Sequence, residues 1–356
     1  MPQKLLFIPA PAPEEAPVTG VPALTVQLNF IDGGLLMGLS WHHTVGDAYS
    51  LNLLLRTWAH HTRLVLDDGI VGTPATAVDT SLERWRLDIG SPNPTVDALS
   101  DYVADPTARS PSHPDHVHLL DRSDRPCADC VMVTYYFSAA GLNSLRQMLA
   151  AAIPEHDVAF TRSEALAALI WKHLSLARRL PMDAGSETSL FTTRLNFRSR
   201  MKPPLPNSFV GNINTPNARW RLPLTEVCQP STPQSLATLA RGIRSAINAL
   251  GEPDVRTAIG LANSLPAATE LTDNYNLFPG PDLSLTDISE LGILREDWGR
   301  LLHPTVLRAY SRERGLVYVL PQDQDGGCEV QIQCEPDAVQ RLNADEVFGR
   351  YARFLG

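Results

Sequence analysis

Between residues 24 and 58 the hydrophobic period changes once, and that change dictates a local fold. Leu24, Val26, Leu28 and Phe30 alternate with Thr25, Gln27 and Asn29, which is the period of a half-buried strand. Asp32-Gly33-Gly34 supplies residues that tolerate the backbone angles of a tight hairpin. Leu35, Met37, Leu39 and Trp41 then alternate again, predicting a second strand. Leu51, Leu54, Leu55 and Trp58 follow at helical spacing. The unit reads hairpin, short loop, helix, and the short loop carries the sequence WHHTVGDA from Trp41 to Ala48.

Further on, strands and helices are mixed without strict βαβ alternation. A strand is predicted over 131–137, followed by a helix carrying Leu142, Leu145 and Leu149. Thr161 and Glu164 have the spacing of a capping box, opening a helix whose buried stripe is Leu166, Leu169, Ile170 and His173. A strand over 190–196 leads into MKPPLPNSFVGN, which must be loop because prolines cannot donate to a ladder. Pro233 in a first turn after Ser231-Thr232 opens a long amphipathic helix that stops at Gly251. Strands are expected over 315–320 and 328–333, and a closing helix over 336–354. Trp171, Phe191 and Trp220 read as core aromatics. The fold class is α/β or α+β with mixed sheets.

At 356 residues the chain exceeds the usual size of one hydrophobic core. Residues 90–129 are dense in Pro, Asp and Ser and read as a crossover, which divides the chain into 1–125 and 126–356. The net charge of -9 disfavours nucleic acid and anionic lipid as partners. No apolar run approaches the roughly 20 residues of a membrane span, and the start lacks the pattern of a secretion signal. Five cysteines, an odd number, fit a reducing, cytoplasmic compartment better than a disulfide framework. Cys127 and Cys130 form a CxxC near His113, His116 and His118, but the spacing matches no familiar zinc module, so no metal is expected.

The chemistry concentrates at His43 and Asp47. His43 ends a strand in phase with Leu39 and Trp41, so its ring is expected to lean toward the buried side. Histidine titrates near neutrality and suits general-base work. Asp47 stands at the turn into the helix, where a carboxylate either caps free N–H groups or orients the imidazole. Gly46 permits the tight turn between them. Adjacent histidines at a strand end also occur as plain structural residues.

This loop resembles the HxxxDG motif of the BAHD acyltransferases, particularly the fungal branch that includes trichothecene acetyltransferase-like proteins, with Ala48 in the glycine position. NFRSRMKPPLPNSFVGN over 196–212 is similar to the family's RxR–PPLP–YFGN segment, and SEALAALIW over 163–171 resembles the helix before it. EDWGR over 296–300 corresponds to a degenerate DFGWG, and Leu283-Ser284-Leu285 stands where the family has a Ser/Thr-Ser-Trp strand. The resemblance implies a chloramphenicol-acetyltransferase-like fold of two similar domains with a tunnel between them. It also implies that the N-terminal one is incomplete in this sequence, because family members carry a longer stretch before the motif. It implies acyl-CoA as co-substrate with no permanently bound cofactor, and a small secondary metabolite as acceptor. His43 would then be the general base with Asp47 beside it. Ser284 would donate to the thioester or donor arm, and Asn212 would line the tunnel or hold a loop. Asp297, Trp298 and Gly299 would be structural, with Asp297 pairing Arg198 or Arg200. The alternative is a cyclase or isomerase using the same cleft without CoA, with His43 still moving a proton. A monomer and a homodimer both fit.

Overall fold

The computed structural model describes residues 22–68, 81, 83–95, 99, 102–104, 130–153, 159–180, 187–265, 271–277, 280–309 and 315–356. Strands β1 (Leu24–Ile31) and β2 (Gly34–Trp41) form a two-stranded antiparallel sheet, and α1 (Ala48–Asp68) follows. Val26 faces Leu39 and Leu28 faces Met37 across the hairpin, so these apolar side chains share one face. The β2 half of that face is covered. Met37 and Leu39 pack with Leu55 and Ala59 of α1 and with Leu291, Ile293 and Trp298. The β1 half is not: Leu28 is 47 % and Phe30 80 % exposed, where the alternation alone predicts half-burial.

A short strand β3 (Tyr102–Ala104), inside the expected crossover, pairs antiparallel with β7 (Leu271–Asp273). Most of the rest of that crossover lies outside the described residues, including Cys127 and the three histidines near it. Among the described residues no group of three metal-ligating side chains occurs.

The second half is built on β4 (Val131–Phe137), β5 (Thr188–Thr193), β6 (Ala218–Pro223), β8 (Leu283–Asp287), β9 (Leu316–Val319), β10 (Cys328–Cys334) and β11 (Ala352–Phe354). They form one mixed seven-stranded sheet in the order β11-β4-β10-β9-β8-β5-β6. The β5–β8 and β8–β9 pairs are parallel and the others antiparallel. Helices α2 (Ala139–Ala151), α3 (Arg162–Arg178), α5 (Pro233–Ala249) and α7 (Pro336–Asn343) share its main core. α3 is buried nearly all round, as expected of a helix at the centre of a layer. Its Trp171 is fully buried against Phe191 and Trp220, and the indole N–H donates to Ser189 Oγ at 2.9 Å. The capping box at Thr161 and Glu164 forms as its spacing predicts.

Two elements depart from expectation. The closing helix is broken: after α7, Asp345 accepts the N–H groups of Val347 and Phe348, starting a separate short helix, α8 (Glu346–Gly349). The chain then extends as β11 along β4 instead of remaining helical. Gly251 does not close α5 alone; it is the N-cap of α6 (Glu252–Ser264), with its N–H donating to Asp254. A four-residue helix α4 (Leu224–Val227) completes the set. The segment 201–217 carries neither strand nor helix, as its prolines require. No helix of the described residues is long and apolar enough to cross a membrane.

Candidate active site

β2 ends at Trp41, and residues 42–47 turn sharply into α1. The turn is held from inside by the Trp41 indole, which donates to Gly46 O at 2.7 Å, and by the Val45 N–H on His42 O at 3.0 Å. A side chain at Gly46 would put its Cβ 2.5 Å from Ser50 Cβ, which explains the glycine.

Asp47 is the anchor of this loop. It is 3 % exposed, and both carboxylate oxygens are committed. Arg198 Nη1 donates to Oδ2 at 2.8 Å and Nη2 to Oδ1 at 2.9 Å. The Ile213 N–H donates to Oδ2 at 3.2 Å and the Ser50 N–H to Oδ1 at 3.0 Å. Arg198 itself has no exposed surface and donates further to the carbonyls of Phe209 and Gly211. A fully hydrogen-bonded bidentate pair is the form in which buried charges are tolerated. Ser50 adds a second tie: its hydroxyl accepts from the Gly211 N–H at 3.1 Å and lies 3.0 Å from Gly211 O. Arg84 adds a third, donating to Val45 O at 2.9 Å and Val210 O at 3.1 Å.

His43 is exposed, against the expectation that its ring leans inward. Strand alternation stops at Trp41 and so does not extend to position 43. Its backbone carbonyl is gripped by Asn212, whose amide nitrogen donates at 2.6 Å. No hydrogen bond to its imidazole occurs among the described residues. The neighbouring His42 ring is engaged by Thr44 Oγ1 at 2.6 Å. The loop therefore holds His43 by its main chain and leaves its ring facing solvent. Asp47 meets Arg198 rather than the imidazole, so its place in the loop is that of an anchor.

The expected pair of Asp297 with Arg198 or Arg200 does not form. Arg198 is consumed by Asp47, and Arg200 donates at 2.6 Å to the carbonyls of Ile247 and Leu250 at the end of α5. Asp297 instead accepts from Arg63 of α1 at 3.2 Å, with both side chains substantially exposed. The Gly299 N–H, and then Arg63, hold its carboxyl below the usual aspartate range. Trp298 is buried and meets Trp58 edge to face at 5.8 Å. Gly299 has φ +68°, and a Cβ there would fall 2.7 Å from Asp67 Oδ2. This segment thus latches α1. Ser284 is half-buried in β8, between Thr192 of β5 and Leu316 of β9. A cleft of about 640 Å³, lined by Ser199, Arg200, Lys202, Asn248 and Gly251, adjoins the Arg198–Arg200 turn and does not include His43.

Ser50, Arg84 and Arg63 escaped the sequence reading. Their partners lie 161, 126 and 234 positions away, and nothing in local periodicity signals contacts of that range.

A model of the Transferase family matches residues 2–340. The acyltransferase easC of Emericella nidulans is 48 % identical over 355 residues, covering 99 % of this chain and 73 % of that protein. The chain belongs to the Transferase family, the BAHD acyltransferases. The acyltransferase cm3D of Cordyceps militaris is 47 % identical, covering 99 % of this chain and 74 % of that one. Among solved structures, F. sporotrichioides TRI101 complexed with coenzyme A and T-2 superposes with a TM-score of 0.73 at 20 % identity. That match covers 94 % of this chain and 71 % of that chain, and supports the BAHD fold. This BAHD member is accordingly an acyltransferase of the fungal type, and its buried Asp47–Arg198 pair joins the 41–48 loop to the 196–212 segment.

Proposed function

We propose that this BAHD enzyme moves an acyl group from acyl-CoA to a hydroxyl or amine of a small secondary metabolite, with His43 as the general base. The observation that carries the reading is the division of labour at the loop. Asp47, Ser50, Arg84 and Asn212 immobilise its backbone, while the His43 ring has no protein partner among the described residues. A base must be placed without being occupied, and such positioning is worth several kcal/mol of barrier. His43 Nε2 or Nδ1 takes the acceptor proton, the acceptor oxygen or nitrogen attacks the thioester carbonyl, and collapse expels the CoA thiolate. Ser284 is proposed to donate to the thioester oxygen or the donor arm. Coenzyme A in the TRI101 complexes supports acyl-CoA as donor. The division into 1–125 and 126–356 is proposed as the two halves of the fold, latched by the contact of α1 with residues 291–298. The thiols of Cys228, Cys328 and Cys334 support a cytoplasmic location.

The test is thiol release from acetyl-CoA by the purified protein in the presence of candidate alcohols. Wild type is expected to turn over, and His43→Ala to be inactive. Undiminished turnover in the variant refutes the role of His43, and failure of CoA to bind in calorimetry refutes acyl transfer.

A further inference from the structure

His173 lies in the buried stretch of α3, and both of its ring nitrogens are engaged. Nδ1 is 2.6 Å from Asp345 Oδ2, and Nε2 is 2.9 Å from Ser231 Oγ. Asp345 uses its other oxygen to cap α8, accepting the N–H groups of Val347 and Phe348, so Oδ2 is left for the imidazole. An ionised carboxylate only accepts, so Nδ1 carries the proton and Nε2 receives the serine hydroxyl. These are the contacts of a serine–histidine–carboxylate relay, which is defined by geometry and roles and not by chain order. The three residues come from α3, from the loop ahead of α5, and from the N-cap of α8, and none belongs to the His43 loop.

The electrostatics suit the roles. Burial lowers the His173 pKa below the ordinary histidine value, with Lys172 assisting and Asp345 opposing, so the ring is neutral at neutral pH. Burial also works to raise Asp345, but the Phe348 N–H and the His173 contact outweigh it and keep the carboxylate ionised. Ser231 is half-buried, so part of its surface meets solvent. It precedes Pro233, at the positive end of the 17-residue helix α5, which favours negative charge developing there.

We infer that Ser231, His173 and Asp345 form a second, hydrolytic centre that accepts small carboxylic esters. Ser231 Oγ bonds to the ester carbonyl carbon while its proton passes to His173 Nε2. Collapse breaks the bond to the alcohol oxygen, and the alcohol leaves with that proton. Water then attacks the acyl-serine, giving its proton to His173, and the acid departs as Ser231 regains its hydrogen. Asp345 is a positioning residue that fixes the tautomer.

The experiment treats the full chain with a fluorophosphonate, which forms a serine O–P bond and expels fluoride, and maps the adduct by peptide mass. In parallel it follows hydrolysis of p-nitrophenyl acetate. Wild type is expected to carry the adduct on Ser231. Ser231→Ala is expected to lose it and to hydrolyse the ester at least tenfold more slowly, with an unchanged circular dichroism spectrum. Asp345→Asn keeps an acceptor for the α8 cap and is expected to slow phosphonylation by at least tenfold. Absence of an adduct on Ser231 in wild type, ester hydrolysis undiminished in Ser231→Ala, or wild-type labelling in Asp345→Asn would each overturn the assignment.

Discussion

Asp47 and Arg198, 151 positions apart in sequence, form a two-bond ion pair at 2.8 and 2.9 Å in which the arginine has no exposed surface. Removing either partner strands a buried charge. Asp47→Ala and Arg198→Ala are each expected to cost about 3–5 kcal/mol in urea unfolding. The double variant is expected to cost well under the sum, since neither charge is then left alone. Additive single effects would show that the pair is not coupled.

His43 is held by its carbonyl, so replacing its ring leaves the anchor intact. His43→Ala is expected to unfold within about 0.5 kcal/mol of wild type. Its transfer rate is expected to fall about 10²–10⁴-fold. A melt and a turnover measurement on the same preparation separate these effects; a collapse of the melt would place His43 in the structure instead.

Asn212 donates to His43 O at 2.6 Å across 169 positions of sequence. Asn212→Ala is expected to cost about 1 kcal/mol of stability and to lower turnover more than that loss of stability explains, because the loop gains freedom. Asn212→Asp, which sets an acceptor against an acceptor, is expected to turn over more slowly than the alanine variant. Equal rates in all three proteins would remove Asn212 from the positioning of the loop.

Gly46 has no room for a methyl group, with Ser50 Cβ 2.5 Å and Ser50 Oγ 2.7 Å from the position it would take. Ser50 cannot retreat without releasing Gly211. Gly46→Ala is expected to destabilise by about 1–3 kcal/mol, read by denaturant midpoint. A neutral result would mean that the loop relaxes freely.

Lys172 is fully buried, its ammonium donating to Val227 O at 3.0 Å, and burial lowers its pKa to about 8. Above that value the unfolded chain still holds the proton that the folded protein gives up. This group therefore adds stability as pH rises from about 8 toward its ordinary value, by up to about 1.4 kcal/mol per pH unit. Lys172→Met removes the contribution. The stability difference, wild type minus variant, is expected to rise between pH 8 and 10, and a constant difference would contradict the shift.

The hairpin, α1, the α3 capping box and strands β4, β5, β9 and β10 were legible because periodicity and capping act over a few residues. The same signals overstated the burial of β1, because its alternation says which face is apolar but not what covers it. They also ran α7 into one long helix, because Asp345 acts as a cap through main-chain contacts that composition does not announce. At the site, motif resemblance singled out Asp47, Arg198 and Asn212, which the fold brings together around the 42–47 loop. It did not say that Arg198 answers to Asp47 and Asp297 to Arg63, since choosing between arginines needs the fold.

The position of β4 in the sheet has a consequence for synthesis. It is among the first strands of the second half to be made, yet it lies between β10 and β11. Its Tyr136 bonds to Asp323, 187 residues later. At about 5–20 residues per second, the ribosome leaves Val133, Tyr135 and Phe137 without their sheet for roughly ten to forty seconds. The nascent chain is thus expected to be a client for chaperones through that interval, and slowed translation between β4 and β10 is expected to lower soluble yield without altering a single native contact.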